Sequence, residues 1–334
     1  MRRPWLAPLT PLYAAGLALR NLRFENGWAP VRRLRFPVVS IGNLSTGGAG
    51  KTPLTIALAK ALTVRGLRVD VLSRGYGRTG QRPARVDPDG SAEEFGDEPL
   101  LIAHQADVPV YVARRRFKAG LLAEAEASNV NPPAVHLLDD GFQHRQLHRD
   151  IDILLLDGRD GRDSLLPSGN LREPLKAARR ATVIAIPAND DAPTLEAALR
   201  AWGFAGPVWR VHRRMDIPGV DGPVAAFCGI ARPEQFFVGL EAAGLRIATR
   251  FAFPDHHCYS PVELERLKDL ASEAGATAFI TTEKDRVRLG KLSSAFPESV
   301  PLKTAGLRIE IEHEDEAIEW LVDRLSSVQQ HPPL

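Results

Sequence analysis

At 334 residues, with 44% apolar and 25% charged side chains, the chain has the composition of a soluble globular protein and exceeds what one core usually supports. Its 43 basic and 41 acidic residues nearly cancel, so whole-chain charge gives no ground for a nucleic-acid partner. The only cysteines, Cys228 and Cys258, show no C-x-x-C spacing, which excludes a disulfide scaffold and a thiolate zinc site.

From Pro4 to Leu19 there is no charge, but this stretch is too short to span a bilayer and contains Pro4, Pro8 and Pro11. Arg2-Arg3 ahead of it imitates a secretion signal. We reject that reading because a nucleotide-binding pattern follows soon after, and its ligand is cytosolic. A helix is predicted from near Pro11, with Leu12, Ala15, Leu19 and Leu22 at helical spacing and Arg20 and Arg23 beside them. The first 36 residues also carry Arg32, Arg33 and Arg35 against a single acid, Glu25. Such a helix either lies in an anionic membrane interface or packs on its own domain.

Downstream, apolar runs alternate with helical patterns. Strands are predicted at Val38–Gly42, Val69–Ser73, Val108–Ala113, Ala134–Leu138, Ile151–Leu156 and Thr182–Ile186. Helices are predicted after Lys51 and around Pro99–Ala106, Phe117–Ala127 and Pro193–Trp202. Continuous runs such as Ile151-Asp152-Ile153-Leu154-Leu155-Leu156 predict a mainly parallel α/β sheet covered by helices on both faces. Val208–Arg214 alternates apolar with polar, like an exposed ribbon strand. A second α/β series follows, with strands Val224–Cys228, Arg246–Phe251 and Thr277–Thr281 and helices after Pro233 and Ser260. Ser260-Pro261-Val262-Glu263 combines a capping box with proline at the first helical position. Leu307–Ile311 is a late alternating strand and Asp315–Leu325 a final helix. The boundary is placed at residue 207: a nucleotide-binding core over 1–207, and a smaller α/β domain over 208–334 that closes on it. A hinge ribbon of 208–214 paired with 307–311 would join the two.

Phe36–Gly42 reads as a buried strand, and Ser45-Thr46-Gly47-Gly48-Ala49-Gly50-Lys51-Thr52 follows it directly ahead of an apolar helix pattern. That is a Walker A loop in its required context, so the fold expected is P-loop NTPase-like. Backbone N–H groups freed by glycine cradle phosphate, and the helix N-terminus adds a favourable dipole. Lys51 is expected to reach the β- and γ-phosphates of ATP, and Thr52 to hold Mg²⁺. Ser45 stands where the general motif has glycine.

His136-Leu137-Leu138-Asp139-Asp140-Gly141 places two acids at a strand's C-terminal end, where open α/β sheets bind ligands. Asp139 and Asp140 are therefore expected to support magnesium or the acceptor proton. Gly96-Asp97-Glu98-Pro99 reads on its own as a helix N-cap, and Pro254-Asp255-His256-His257 as an ordinary loop.

Taken together, the ordered set resembles the tetraacyldisaccharide 4'-kinase family over nearly the whole chain. Its carriers are Gly42-Asn43-Leu44-Ser45 with the Walker loop, Ser73-Arg74-Gly75-Tyr76-Gly77-Arg78, Gly96-Asp97-Glu98-Pro99 and Asp139-Asp140-Gly141-Phe142-Gln143-His144. Leu171-Arg172-Glu173-Pro174, Asp255-His256-His257 and Thr281-Thr282-Glu283-Lys284-Asp285 complete it. The resemblance implies transfer of the ATP γ-phosphoryl group to the 4'-hydroxyl of a tetraacylated glucosamine disaccharide 1-phosphate, forming lipid IVA. It implies peripheral placement on the cytosolic face of the bacterial inner membrane, without an obligatory protein partner. It also implies that Asp97 and His256 act as a pair on the sugar hydroxyl, that Arg172 contacts phosphate, and that Glu173 joins the magnesium site. Arg74, Arg78 and Arg114-Arg115-Arg116 either face the substrate phosphate or lipid headgroups, or form a solvated surface.

A nucleotide-dependent switch is the first competing reading. A GTPase would show Asp-x-x-Gly after the second acidic strand, but residue 142 is Phe, and Thr282-Glu283-Lys284-Asp285 has the wrong spacing for the base-reading motif. A soluble ligase or small-molecule kinase on the same fold is the second, and it would lack the basic amphipathic N-terminus.

Overall fold

A computed structural model describes residues 3–47, 50–127 and 133–330. Its strands are β1 (Val38–Asn43), β2 (Arg68–Ser73), β3 (Ala84–Arg85), β4 (Val110–Val112), β5 (Ala134–Asp139) and β6 (Ile151–Leu155). They continue with β7 (Val183–Pro187), β8 (Val208–Asp216), β9 (Val224–Cys228), β10 (Ile247–Ala252), β11 (Ala278–Thr282) and β12 (Leu302–Ile311). The helices are α1 (Thr10–Glu25), α2 (Lys51–Val64), α3 (Ala92–Phe95), α4 (Asp97–Ala106) and α5 (Arg116–Glu126). After them come α6 (Ala192–Ala201), α7 (Pro233–Ala242), α8 (Pro261–Glu273), α9 (Glu283–Leu289) and α10 (Glu314–Gln330).

The strands form one sheet in the order β10-β9-β11-β12-β8-β7-β6-β1-β5-β2-β4-β3. Among the described residues every pairing is parallel except β3 with β4 and β8 with β12. The continuous apolar runs have the cause the sequence suggests: both faces are covered. Val39 and Ile41 of β1, with Ile151 and Ile153 of β6, enter a core shared with Leu58 of α2 and Ile102 of α4. Val38, just ahead of Val39, joins Ala119 and Ala123 of α5 on the opposite face, and Leu154 of β6 joins Leu199 of α6 there. The second series is likewise two-sided, with Phe227 packing toward α8 and Ala226 toward α7. Helix α8 begins where its capping box directs: the Glu263 carboxylate accepts from Ser260 N at 2.9 Å, and Ser260 Oγ accepts from Glu263 N at 3.4 Å.

The ribbon forms with a register running from Gly306 opposite Asp216 to Ile311 opposite Val211. It is longer than the alternation predicts. Strand β12 begins at Leu302, and its first part pairs in parallel with β11 up to Thr282 opposite Ala305. Gly306 interrupts the pattern and hides that first part from a period-two search. Sequence order and packing part company at the C-terminus. Trp209 and Val211 of β8, Ile309 and Ile311 of β12, and Ala317, Ile318, Leu321 and Leu325 of α10 all enter the core of the first sheet half. The amphipathic face of α10 needs an apolar partner, and β12 delivers it back beside α2.

An antiparallel joint between two parallel sets has a geometric consequence. β7 ends at Pro187, opposite Val211, and β11 ends at Thr282, level with the Gly306–Asp216 pair. The C-terminal ends of the two sets therefore point at each other across the ribbon, so their loops share one cleft.

Leu321 is fully buried. Leu321→Ala should lower the unfolding free energy by about 2–5 kcal/mol, read from urea denaturation, because α10 completes the core around α2.

Candidate active site

Between β1 and α2 the backbone turns through Gly47 (φ +100°) and Gly50 (φ +92°), where an L side chain is strained. Segment 170–172 braces the turn. Thr46 N donates to Asn170 O at 2.8 Å, and Arg172 N donates to Leu44 O at 2.7 Å. Ser45, nearly buried, bridges to Leu171 across the same segment. Gly48 and Ala49 lie outside the described residues. Lys51 opens α2 with Nζ 3.1 Å from Asn43 Oδ1 and 3.5 Å from Asp140 Oδ1. Thr52 is buried beside it. The 14-residue α2 aims its positive end into this turn, as an anion cradle requires.

The two acids after β5 are pushed in opposite directions. Asp139 is buried, and its Oδ1 accepts from Thr55 Oγ1 at 3.2 Å. Burial, then the negative Glu98 and Asp140, push its carboxyl up to about 7. Asp140 takes a left-handed turn (φ +47°) and binds Arg172 Nη1 at 2.9 Å. Burial alone would raise Asp140, but Lys51 and Arg172 overcome it and hold the carboxyl at about 2. Arg116 is the one member of its arginine run that turns inward. It is buried near Asp140, Arg74, Asp139 and Arg172, and burial lowers its guanidinium to about 10. Arg78 instead ties its loop to itself through the Arg82 carbonyl and to β4 through the Val112 carbonyl. His144, at the end of the same motif, is pushed down to about 4 by burial and by Arg116, Arg149 and Arg74, so it is neutral at pH 7.

Asp97 is the first residue of α4, one position past the Gly96 N-cap, so the N-cap expected of it is not formed; its Oδ1 accepts from Glu98 N at 3.0 Å. Its Oδ2 reaches over the joint to His256 Nδ1 at 3.0 Å and to Arg288 Nε at 2.9 Å. Burial pushes Asp97 up, but the His256 hydrogen bond, Arg288 and Lys284 more than offset it and leave the carboxyl well below its usual range. The same hydrogen bond raises His256 above its usual value of 6.5. His256 sits at φ +61°, with the Tyr76 ring 5.2 Å away. Lys284 Nζ meets Glu98 Oε1 at 2.5 Å, a second bridge between the same two elements. Buried Asp285 anchors this corner by accepting from Gly229 N at 3.0 Å, Tyr259 OH at 2.9 Å and Arg288 Nη1 at 3.0 Å.

Residues distant in sequence thus converge: Lys51, Thr52, Asp97, Asp139 and Asp140 on one side of the joint, His256 on the other. Glu173 does not join them. Its carboxylate is fully buried between Arg20 at 3.3 Å and Arg180 at 2.9 Å, so the expectation that it belongs with Thr52 and Asp139 is corrected. Two guanidinium partners already neutralise it. Sequence reasoning attached no role to Arg288, Lys284 or Asn43. The signal for the first two was their four-residue spacing, which sets both on one face of α9 toward the α4 acids.

No three His, Cys, Asp or Glu side chains among the described residues could hold a metal ion by themselves. What is present is a hard oxygen set, a hydroxyl and two carboxylates, suited to an ion that keeps water and phosphate ligands.

A cradle shaped for phosphate, facing a carboxylate–imidazole pair able to take a hydroxyl proton, has the parts needed to move a phosphoryl group onto an alcohol: the fold and site define a P-loop kinase. Residues 2–326 match the family model described as tetraacyldisaccharide-1-P 4'-kinase. Tetraacyldisaccharide 4'-kinases from Koribacter versatilis and Chromobacterium violaceum are 42% and 39% identical, covering 94% and 96% of this chain and 97% and 94% of theirs. The crystal structure of the "apo" form of LpxK from Aquifex aeolicus in complex with ATP superposes with a TM-score of 0.74 at 32% identity, covering 96% of this chain and 98% of that one. The chain belongs to the tetraacyldisaccharide-1-P 4'-kinase family and is an enzyme, a kinase of lipid A biosynthesis.

The Asp97–His256 contact makes a signed prediction. Asp97 favours the imidazolium, so the stability it contributes is full below the unfolded histidine value near 6.5 and is lost as pH rises through the higher folded one. NMR titration of the His256 ring should give a midpoint above 6.5, falling in Asp97→Asn. A midpoint that does not move in the variant would remove the coupling.

Proposed function

We propose that the enzyme moves the γ-phosphoryl group of ATP to the 4'-hydroxyl of a tetraacylated glucosamine disaccharide 1-phosphate with Asp97 and His256 as the proton-accepting pair. The observation carrying this reading is the 3.0 Å Asp97–His256 contact formed across the joint from Lys51. A neutral His256 donates Nδ1–H to Asp97, which leaves Nε2 to take the sugar proton as the oxygen bonds to phosphorus. The γ-phosphorus–oxygen bond to the β-phosphate then breaks and ADP leaves. Lys51 meets the charge developing on the β- and γ-oxygens, assisted by the backbone N–H groups of the 45–52 loop. Arg172 carries its positive charge to the same place through Asp140. Buried Arg116 and the exposed Arg74 beside it offer positive charge for an anionic sugar substrate. Magnesium, held by Thr52 with Asp139 and Asp140, would neutralise phosphate charge there. The set formed by β9, β10 and β11 with α7, α8 and α9 works as a lobe that closes over substrate on the rest of the chain, with the Asp97–His256 contact marking the closed arrangement, and closure restrains wasteful hydrolysis.

The N-terminus supports peripheral contact with the cytosolic face of the inner membrane. Helix α1 buries only Leu17, while Leu12, Leu19 and Leu22 are 74%, 60% and 47% exposed and Trp5 is 76% exposed. No helix of the described residues is long and apolar enough to cross a membrane. Polar ties dock the helix: Tyr13 OH donates to Arg172 O at 2.9 Å, and Arg20 pairs with Glu173. The outward apolar stripe is thereby fastened to the segment that carries Arg172 toward Asp140.

Transfer of label from ATP to a tetraacyldisaccharide 1-phosphate in mixed micelles tests the chemistry. Product should require Mg²⁺, vanish in Lys51→Ala, and fall roughly 10²–10⁴-fold in Asp97→Ala with ATP affinity intact. ATP hydrolysis without lipid product would favour a switch ATPase instead. Loss of ATP affinity in Asp97→Ala would sink its assignment as a proton acceptor. For the membrane surface, Leu12→Ser with Leu19→Ser should weaken sedimentation with anionic vesicles by at least roughly tenfold while leaving the melting temperature unchanged.

A further inference from the structure

Two guanidinium groups from beyond residue 207 lie against the Walker loop, and no step above uses them. Arg213 stands directly opposite Ile309 in the ribbon, and opposed residues of an antiparallel pair project from one face. That face is the one on which Trp209 and Val211 enter the core, so the period of two carries Arg213 past the end of the core and onto the loop. A Cβ built on Gly50 would lie 2.9 Å from Ile309 Cδ1, 3.5 Å from Arg213 Nε and 3.6 Å from its Nη2. A Cβ built on Gly47 would lie 3.8 Å from Arg232 Nε. Arg232 directly precedes α7, on the same side of the ribbon cleft. Its Nη1 is 3.4 Å from Asp157 Oδ2, just past the end of β6, the strand beside β1. Asp160, almost fully buried, accepts from Asp157 N at 2.9 Å through Oδ2 and holds that acid in place.

We propose that Arg213 and Arg232 contact the β- and γ-phosphate oxygens of the nucleotide, with Asp157 the acid that holds Arg232 at the rim of the cradle. The inference rests on the 45–52 loop being the ATP cradle. Two facts of chemistry carry it. A phosphoryl transition state spreads charge over the γ-oxygens, and a guanidinium delivered from a neighbouring element is well suited to meet it. Arg232 belongs to the set across the joint and Arg213 to the joint strand itself, so their contact with phosphate couples nucleotide binding to the placement of His256 over Asp97. They act at the nucleotide end, whereas Arg116 and Arg74 face the acceptor.

The test uses the full chain, a fluorescent ATP analogue and steady-state transfer kinetics for the native enzyme, Lys51→Ala, Arg213→Ala, Arg213→Lys and Arg232→Ala. ATP should bind roughly tenfold to a hundredfold more weakly to each arginine-to-alanine variant, the scale of one lost charge-assisted hydrogen bond. Melting temperatures should stay unchanged, and Arg213→Lys or added millimolar guanidinium should restore part of the loss in Arg213→Ala. Native affinity and native kcat/KM in both alanine variants, with Lys51→Ala still impaired, overturn the proposal and spare the cradle. Weaker binding that comes with a lowered melting temperature and without rescue by lysine or guanidinium overturns it too, since that marks a structural role. Full binding by Lys51→Ala would refute the cradle itself.

Discussion

The antiparallel register between β8 and β12 is the constraint on which the site depends. Parallel strands place their loops at one edge, and two parallel sets joined in parallel would leave their C-terminal edges side by side. Reversing direction at a single pair of strands turns the second set's edge toward the first. The strand-end loops carrying Lys51, Asp139 and Asp140 then face those carrying His256, Lys284 and Arg288. A one-residue slip in this pair would invert both faces and send Ile309 and Trp209 out of the core, so burial pins the register that function needs.

Charge does the rest of the positioning. Asp97 is buried and accepts from groups on the far side of the joint, which makes it both a functional candidate and a latch. Removing one partner of such a buried cluster costs far more than the cluster contributes net, so the arrangement selects one relative placement of the two sets without being a large source of stability. Opposite shifts at adjacent Asp139 and Asp140 have the same origin. Arg172 and Lys51 contact the second directly, whereas at the first, burial and the neighbouring Glu98 and Asp140 outweigh Lys51 and Lys284.

The buried Arg20–Glu173–Arg180 cluster gives the amphipathic N-terminal helix a fixed seat. With Tyr13 bonded to the Arg172 carbonyl, the exposed apolar stripe of α1 is tied to the residue whose side chain pairs with Asp140.

Periodicity and punctuation made most elements legible from the chain alone. The Walker loop declared itself by its glycines between a buried strand and a helix, and α8 by its capping box. The strand-end acids were readable because β5 is a continuous apolar run that stops at Asp139. These are local facts, set by backbone sterics and by which residues repeat every two or 3.6 positions. What lies beyond them depends on register and burial. That Asp97 pairs with His256 and Arg288, that Glu173 is claimed by two arginines, and that α10 returns to the first core are not properties of their neighbours in sequence. Nor is the placement of Arg213 over Gly50. Each is decided by which strand lies beside which and in which direction, because charges separated by more than a hundred residues interact only once the fold has brought them within a few ångströms and shut out the water between them.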